Sequence, residues 1–305
     1  MELYYQGKDI TENVQIRACT VKDTAGDRCD SLFVEFENPA IWYAWGPQED
    51  DQIQVLHNGY DSGTMYVNRI LPENGVYRIF ATSLPCKARN KENRSFRNKT
   101  IEEIMRQCAM VSNMDYQIFG IDKNIVIPYI QQENEGPAAF LSKLLLLEGA
   151  YLKCINGKYT AIGIMYAQER AVSQSMEIIA DQDGMQYWYA GSKNKSLSVK
   201  TPYACGTAND TDVADDHASA VICNLPALNN IQAARWARTK LLDYNRKCEN
   251  LIIQSSFNAA ATAMQRVDIE GNTDATGEWL IQEAEHDFIN LKTKTTMHRC
   301  IWTIQ

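Results

Sequence analysis

VEFENPAIWYAWGPQEDDQIQVLHNGYDSGTMYVNRILPENGVYRIFATS, residues 34–83, sets short runs of β-branched and aromatic residues between Gly, Pro, Asn and Asp. This is the pattern of antiparallel strands joined by tight turns, because such side chains pack well on a pleated surface and the breakers supply turn backbone. Asn58-Gly59 and Asn74-Gly75 fall between runs. A primed two-residue turn needs positive φ at both central positions, which Asn and Gly tolerate. A small barrel is the expected product, and nothing in the stretch has a catalytic pattern.

Upstream, Leu3–Gln6, Val14–Val21 and Ser31–Phe36 read as three more strands, with a turn at Gly7-Lys8-Asp9 and a polar loop from Asp23 to Asp30. Downstream, the charged run Lys87–Arg97 suits neither strand nor helix and reads as a linker. Thr100-x-x-Glu103 is a capping box, and Ile101, Ile104, Met105, Cys108 and Ala109 follow at helical spacing to about Val111. The run Pro128–Glu135 leads to a second helix from Pro137, apolar on more than one face through Phe140, Leu141, Leu144, Leu145 and Leu147, and ended by Gly149. Leu152–Ile155, Asn156-Gly157 and Lys158–Ile164 form the strongest hairpin signal in the chain.

Strands are expected at Met176–Ile179, Met185–Ala190 and Leu197–Lys200, then an acidic loop over Asn209–Asp216. A third helix starts at an Asn229 cap, with Ile231, Ala234, Trp236, Ala237, Leu241, Tyr244 and Cys248 as its buried stripe. Leu251–Phe257, Ala263–Ile269, Glu278–Phe288 and Met297–Ile304 complete the strands, with turns at Glu270-Gly271-Asn272 and around Gly277.

At 305 residues the chain exceeds the usual single core, so two or three subdomains are expected. No run approaches the roughly 20 apolar residues that span a bilayer. The start MELYYQGKDITENV lacks the basic end and apolar core of a signal peptide, so the chain is expected to stay in the cytosol until something else moves it. Nine scattered cysteines, odd in number and without a C-x-x-C pair, read as reduced and mostly buried. A net charge of −8 argues against a protein that grips nucleic acid, since affinity for phosphates comes from clustered Lys and Arg.

The residues offer little chemistry. His57, His217, His286 and His298 are far apart, and no H-E-x-x-H motif occurs. The acidic loop Asp210, Asp212, Asp215, Asp216 lacks the glycine and terminal glutamate of a calcium loop and reads as solvated. There is no G-x-S-x-G elbow and no G-x-x-x-x-G-K phosphate loop. The sequons at Asn93, Asn98 and Asn194 carry no weight without secretion. No catalytic, cofactor-binding or metal residue is assigned, and no cofactor is expected.

Several motifs in order carry a family resemblance: Trp42-x-x-Trp45-x-Pro47, an acidic turn, the strand Gln52–His57, Gly59-Tyr60, Gly63-x-Met65-x-Val67 and Ile79-x-Ala81-x-Ser83. Arg94-Ser95-Phe96, the threonine-capped helix and Tyr116–Gly120 follow, then Phe140-Leu141-x-x-Leu144 through Glu148-Gly149-Ala150. Together they resemble the baseplate hub of contractile phage tails, the late-control protein D family, strongly from about 30 to 165 and more loosely near both ends. The turn Pro47-Gln48-Glu49-Asp50-Asp51 departs from that family's Pro-x-x-Gly-Asp by lacking the glycine.

The resemblance implies an α+β chain with two small antiparallel β-barrels of tail-tube type and a helical insertion. The expected division is 1–86 as the first β-barrel, 87–150 as the helical insertion domain and 151–205 as the start of the second β-barrel. Residues 206–250 follow as a non-barrel loop and helix, and 251–305 as the remainder of the second barrel.

It implies a structural, non-enzymatic hub, in a phage tail or a tail-like bacteriocin, whose homotrimer adapts a six-fold tail tube to a three-fold central spike. The implied partners are the chain itself, the spike and the tube or tube-initiator protein, with tape measure and baseplate wedge as further neighbours. No specific nucleic-acid binding and no membrane insertion are implied. The implied location is the baseplate of a virion or tail-like particle assembled in the host cytoplasm. Since the sequence stops at Gln305 near the last strand, the spike is expected to be a separate polypeptide. A trimer would carry −24, three times −8, and an acidic channel would pass DNA without holding it.

The alternative is a tail-associated peptidoglycan hydrolase or wall-binding module. Hydrolysis needs two carboxylates at a fixed separation, for which Glu133 and Glu135, or Glu283, Glu285 and Asp287, are the candidates. Strand alternation places the latter three on one face, solvent or subunit contact, with Leu280, Ala284, His286 and Phe288 on the other. Trp42, Tyr43 and Trp45 could stack on sugars, but the resemblance favours a barrel-end plug or subunit interface.

Overall fold

Turn chemistry sets the strand layout. In a computed structural model, which describes residues 1–37, 40, 44–73, 75–177, 184–271 and 273–305, Asn58 and Gly59 have φ of 47° and 85°, and Asn156 and Gly157 have 48° and 67°. Both pairs are the primed turns their sequences call for. Trp42, Tyr43, Asn74, Ile179 and Asn272, which figure in the sequence reading, lie outside the described residues.

The strands of residues 1–86 and those near the C-terminus belong to one 14-stranded, mostly antiparallel sheet. The strand Ile16–Thr24 has Ser31–Phe36 on one edge and Gly277–Asp287 on the other, with Glu283 opposite Thr24 and Asp287 opposite Thr20. That second pairing joins the two ends of the chain. The hydrogen-bonded path among the described strands is open and not closed into a barrel. One pair in this sheet is parallel, Gln174–Glu177 with Arg266–Glu270. The class is α+β, mostly sheet with few helices.

Between these ends, Lys87–Arg97 differs from its expected role as a linker. After a helical turn at Cys86–Arg89, residues Glu92–Thr100 form a strand paired with Val126–Glu135. Phe96 is the run's one large apolar side chain, and it faces inward opposite Ile130 and stacks on Phe140 with centroids 5.3 Å apart. Arg97 points to solvent, while Glu92 and Arg94 share the face of Phe96, part-buried and paired with each other, and charges on both faces masked the period of two in the sequence.

The helix Ile101–Ser112 opens as its capping box requires: Thr100 Oγ1 accepts the Glu103 amide at 3.1 Å, and Glu103 Oε2 accepts the Thr100 amide at 2.9 Å. Asn113, left-handed at φ 55°, ends it. The helix Pro137–Leu147 begins with proline in its first turn and buries Phe140, Leu141, Leu144 and Leu145. Each such burial stabilises the fold by about 1.5–3 kcal/mol. The hairpin Ala150–Ile155 and Lys158–Gly163 adds Asp115–Phe119 as a parallel third strand, and its side chains enter the same core as both helices.

The helix Asn230–Arg246 is capped by Asn229, whose side chain accepts the Gln232 amide at 2.9 Å. Its buried face differs from the apolar stripe read in the sequence. Trp236, Ala237, Leu241 and Cys248 are buried, whereas Ile231 and Tyr244 are 78% and 47% exposed and Ala234 faces outward. Gln232, Thr239, Asn245 and Arg246 are buried in their place. Beneath the helix lies a three-stranded sheet of Ser196–Lys200, Cys205–Asn209 and Ser219–Ile222, the last two unassigned from the sequence. Gly206 lets the helix close on it: a Cβ there would lie 2.1 Å from the Ala234 nitrogen. No helix among the described residues is long and apolar enough to cross a membrane.

Candidate functional site

The strand Ala150–Ile155 carries one lysine in an otherwise apolar run. Lys153 reaches out of the core shared by the helices Ile101–Ser112 and Pro137–Leu147 and sets its ammonium 2.5 Å from Asp23 Oδ1 and 3.2 Å from Asp30 Oδ2. Asp30 Oδ1 also accepts the Thr24 amide at 2.8 Å, and Asp23 Oδ1 accepts the Ala263 amide at 3.1 Å. The cluster thus ties the hairpin Ala150–Gly163 to the 14-stranded sheet and to the loop before Arg266. Two carboxylates share one buried cation. Burial, assisted by Asp23, pushes the Asp30 carboxyl up to about 7 against the pull of Lys153. Burial also works against the Lys153 charge, but the two aspartates outweigh it and hold the ammonium above its ordinary value.

A second tie joins the end of the helix Pro137–Leu147 to the helix Asn230–Arg246. Glu148, its side chain wholly buried, receives Arg235 Nε at 2.5 Å, Arg235 Nη2 at 2.9 Å and the Trp236 indole N–H at 2.7 Å. Close by, the Tyr151 hydroxyl donates to Asp243 Oδ1 at 2.5 Å. A third tie is Asp210, which accepts the Asn245 amide at 2.8 Å and the Thr303 hydroxyl at 2.6 Å. Sequence reading missed these residues as ties. The available signal was a lone charge inside an apolar run, as in AYLKCI and LLLLEGA, because such a charge stays buried only when paired.

The residues singled out in the sequence are dispersed. His286 is fully buried, with Nδ1 3.1 Å from the Thr293 hydroxyl and Nε2 3.0 Å from the Ala261 carbonyl, and burial lowers its pKa. His57 meets Phe257 edge-on at 4.9 Å, and His298 is pushed down to about 4 by burial and then by Arg246. His217 is exposed.

Of the acidic loop, Asp210 is buried and hydrogen-bonded, while Asp212, Asp215 and Asp216 are exposed and Asp215 pairs with Lys195 at 3.0 Å. Among the described residues, no three His, Cys, Asp or Glu side chains converge as a metal site would require.

Of the candidate carboxylates, Glu133 is exposed, Asp287 accepts hydrogen bonds from Ile289 and Asn290, and the other three are in ion pairs. Glu135 meets Lys143 at 2.5 Å, and Glu285 meets Lys22 at 3.1 Å, with Glu283 4.0 Å from both Lys22 and Arg28. Glu283, Glu285 and Asp287 share the partly exposed face of their strand, and Ala284, His286 and Phe288 face inward. A bulge between Ile281 and Glu283 shifts the alternation there and leaves Trp279, Leu280 and Ile281 all buried. Trp45 is 43% exposed and its ring lies 6.4 Å from that of Tyr5. Burial pushes the thiols of Cys19 and Cys108 up to about 12 and that of Cys300 to about 11, the opposite of the lowered pKa that activates a nucleophile.

With these ties in place the whole chain takes the fold of phage tail proteins. It superposes on the 43 kDa tail protein of prophage MuSo2 from Shewanella oneidensis with a TM-score of 0.77 at 12% identity, covering 98% of both chains. The tail protein from Neisseria meningitidis MC58 gives 0.76 at 10% identity, over 99% of this chain and 97% of that one. An E. coli component of the type VI secretion system, described as structurally similar to the T4 bacteriophage tail proteins gp27 and gp5, gives 0.60 at 12% identity over 97% of this chain and 76% of its own. No protein-family model and no curated protein matches the sequence.

Proposed function

We propose that the chain is the structural baseplate hub of a contractile tail, working as a homotrimer in a virion or a tail-like bacteriocin. The observation that carries this reading is the likeness to phage tail proteins over nearly the full length of both chains. The ordered motifs from Trp45 to Gly149 support the hub among tail components. In this reading residues 1–86 are one barrel-type unit and the strands Gln174–Glu177 and Met185–Tyr189 with those of 251–305 are the second, joined through the pairing of Ile16–Thr24 with Gly277–Asp287, while the strands Ala150–Ile155, Lys158–Gly163 and Ser196–Lys200, expected in the second barrel, belong to smaller separate sheets. Residues 87–150 and 206–250 supply the helices around them. Three subunits then present six such units, so that a six-fold tube meets one face and a three-fold spike the other.

The task is mechanical and needs no reaction, cofactor or metal. Its partners are other copies of the chain, the central spike and the tube or tube initiator, with tape measure and wedge as neighbours. Glu135 and Glu285 are held in ion pairs with Lys143 and Lys22, which favours this reading over a wall hydrolase.

The test is the mass of the purified chain in solution, alone and with the spike protein of the same particle. A trimer of about 104 kDa, three times 34.6 kDa, or a 3:3 complex with the spike supports the hub. A monomer that ignores the spike and clears cell wall overturns it.

A further inference from the structure

Charge along this chain is segregated. Lys87–Lys99 holds six Lys or Arg and one Glu, whereas Thr201–Ala234 holds four Asp and no Glu, Lys or Arg. In the fold the first stretch is the ribbon strand Glu92–Thr100 with the turn before it, lying against the helix Pro137–Leu147. The second contains the loop that follows Cys205–Asn209, under the helix Asn230–Arg246.

Neither stretch neutralises the other within the subunit. Arg89, Arg94 and Lys99 pair with Glu49, Glu92 and Glu103. Lys87, Lys91 and Arg97 are exposed and form no ion pair among the described residues, and neither do exposed Asp212 and Asp216. Asp215 pairs only with Lys195, with its side chain 95% exposed.

We propose that the basic ribbon around Lys91 and Arg97 docks on the acidic loop around Asp212, Asp215 and Asp216 of the next copy, as the electrostatic contact that sets register in the ring. A closed ring of identical subunits without two-fold axes brings two different surfaces of the chain together at every interface. Two exposed patches of opposite sign meet that requirement, and complementary charge at an interface speeds encounter and suppresses wrong pairings. The inference rests on the homotrimer reading.

The test is sedimentation equilibrium at 50 and 500 mM NaCl of the wild-type chain and three variants. The first is Lys91→Glu with Arg97→Glu, the second Asp215→Lys with Asp216→Lys, and the third carries all four changes. If the free wild-type chain is monomeric, the same set is run with the spike bound. Each double variant is expected to weaken the trimer by about tenfold or more at low salt, the fourfold variant to recover most of that loss, and high salt to shrink all differences. Far-UV circular dichroism unchanged by these surface substitutions confirms that the variants fold. A wild-type trimer with unaffected double variants, or a fourfold variant no better than either double, overturns this contact and leaves the trimer standing. A ribbon variant that weakens assembly while the loop variant does not also overturns it, since the ribbon then meets another acidic surface. A wild-type chain that stays monomeric with and without the spike overturns the ring and the contact together.

Discussion

Glu148 and Arg235, 87 residues apart in sequence, form a two-pronged ion pair with nitrogen–oxygen distances of 2.5 and 2.9 Å, and the carboxylate is wholly buried. A buried carboxylate in this position is held by its partners, and Trp236 supplies the third hydrogen bond. Replacing Glu148 by Ala strands the buried Trp236 indole N–H and leaves the part-exposed Arg235 guanidinium to solvent. The expected loss is about 1–3 kcal/mol, the cost of one buried donor left unpaired. Urea unfolding of the wild-type and Glu148→Ala chains measures it, and a loss below about 1 kcal/mol would mean the pair is not what joins the two helices.

The cluster at Lys153 has a different signature, a dependence on pH. Asp30 holds its proton up to about 7 in the folded chain, against about 3.9 for an ordinary aspartate. Between these values the native state binds more protons than the unfolded state, so this group's contribution to stability falls as pH rises and levels off above 7. Asp30→Asn is expected to remove that slope. The check is unfolding free energy at pH 5, 6, 7 and 8 for both chains, and parallel curves would rule the assignment out.

Phe96 decides whether the ribbon belongs to the core around the helices Ile101–Ser112 and Pro137–Leu147. It is 2% exposed and stacked on Phe140, so Phe96→Ala is expected to cost about 3–5 kcal/mol, while Arg97→Ala beside it should fall within about 0.5 kcal/mol. Equal, small effects at both positions in a thermal unfolding comparison would return the segment to the linker its charges suggest.

Local signals in the sequence were the legible ones. The Asn58-Gly59 and Asn156-Gly157 turns, the Thr100 capping box and the Asn229 cap each depend on a few neighbouring residues, and each is where its sequence puts it. The pairing of Ile16–Thr24 with Gly277–Asp287 depends on residues some 260 positions apart, and no local pattern announces which edge meets which. The helix at Asn230–Arg246 failed differently. Apolar spacing predicts burial only where polar residues lack partners, and here Gln232 and Asn245 find theirs inside, at the Leu228 amide and at Asn194 and Asp210. Ile231 and Tyr244 are left on the surface. The same blind spot hid Lys153 and Glu148, whose meaning lies in partners the sequence does not place beside them.

The nine cysteines give a check on the fold that needs no substitution. All are free thiols; Cys205 and Cys223 are exposed, Cys29 and Cys86 partly so, and the other five are buried. Thiolate is the reacting species, and burial raises Cys19, Cys108 and Cys300 to about 11 or 12, so at pH 8 these react only through opening of the structure. A native chain treated with a charged disulfide reagent is therefore expected to release about two equivalents quickly, and all nine once unfolded in guanidinium. Peptide mapping should find the fast label on Cys205 and Cys223. Fast labelling of Cys19 or Cys108 would mean that the sheet or the core under the helix Ile101–Ser112 opens far more readily than their complete burial implies. In the assembled particle a fall from two fast thiols to fewer would place the Cys205–Cys223 surface, which borders the acidic loop, inside an interface.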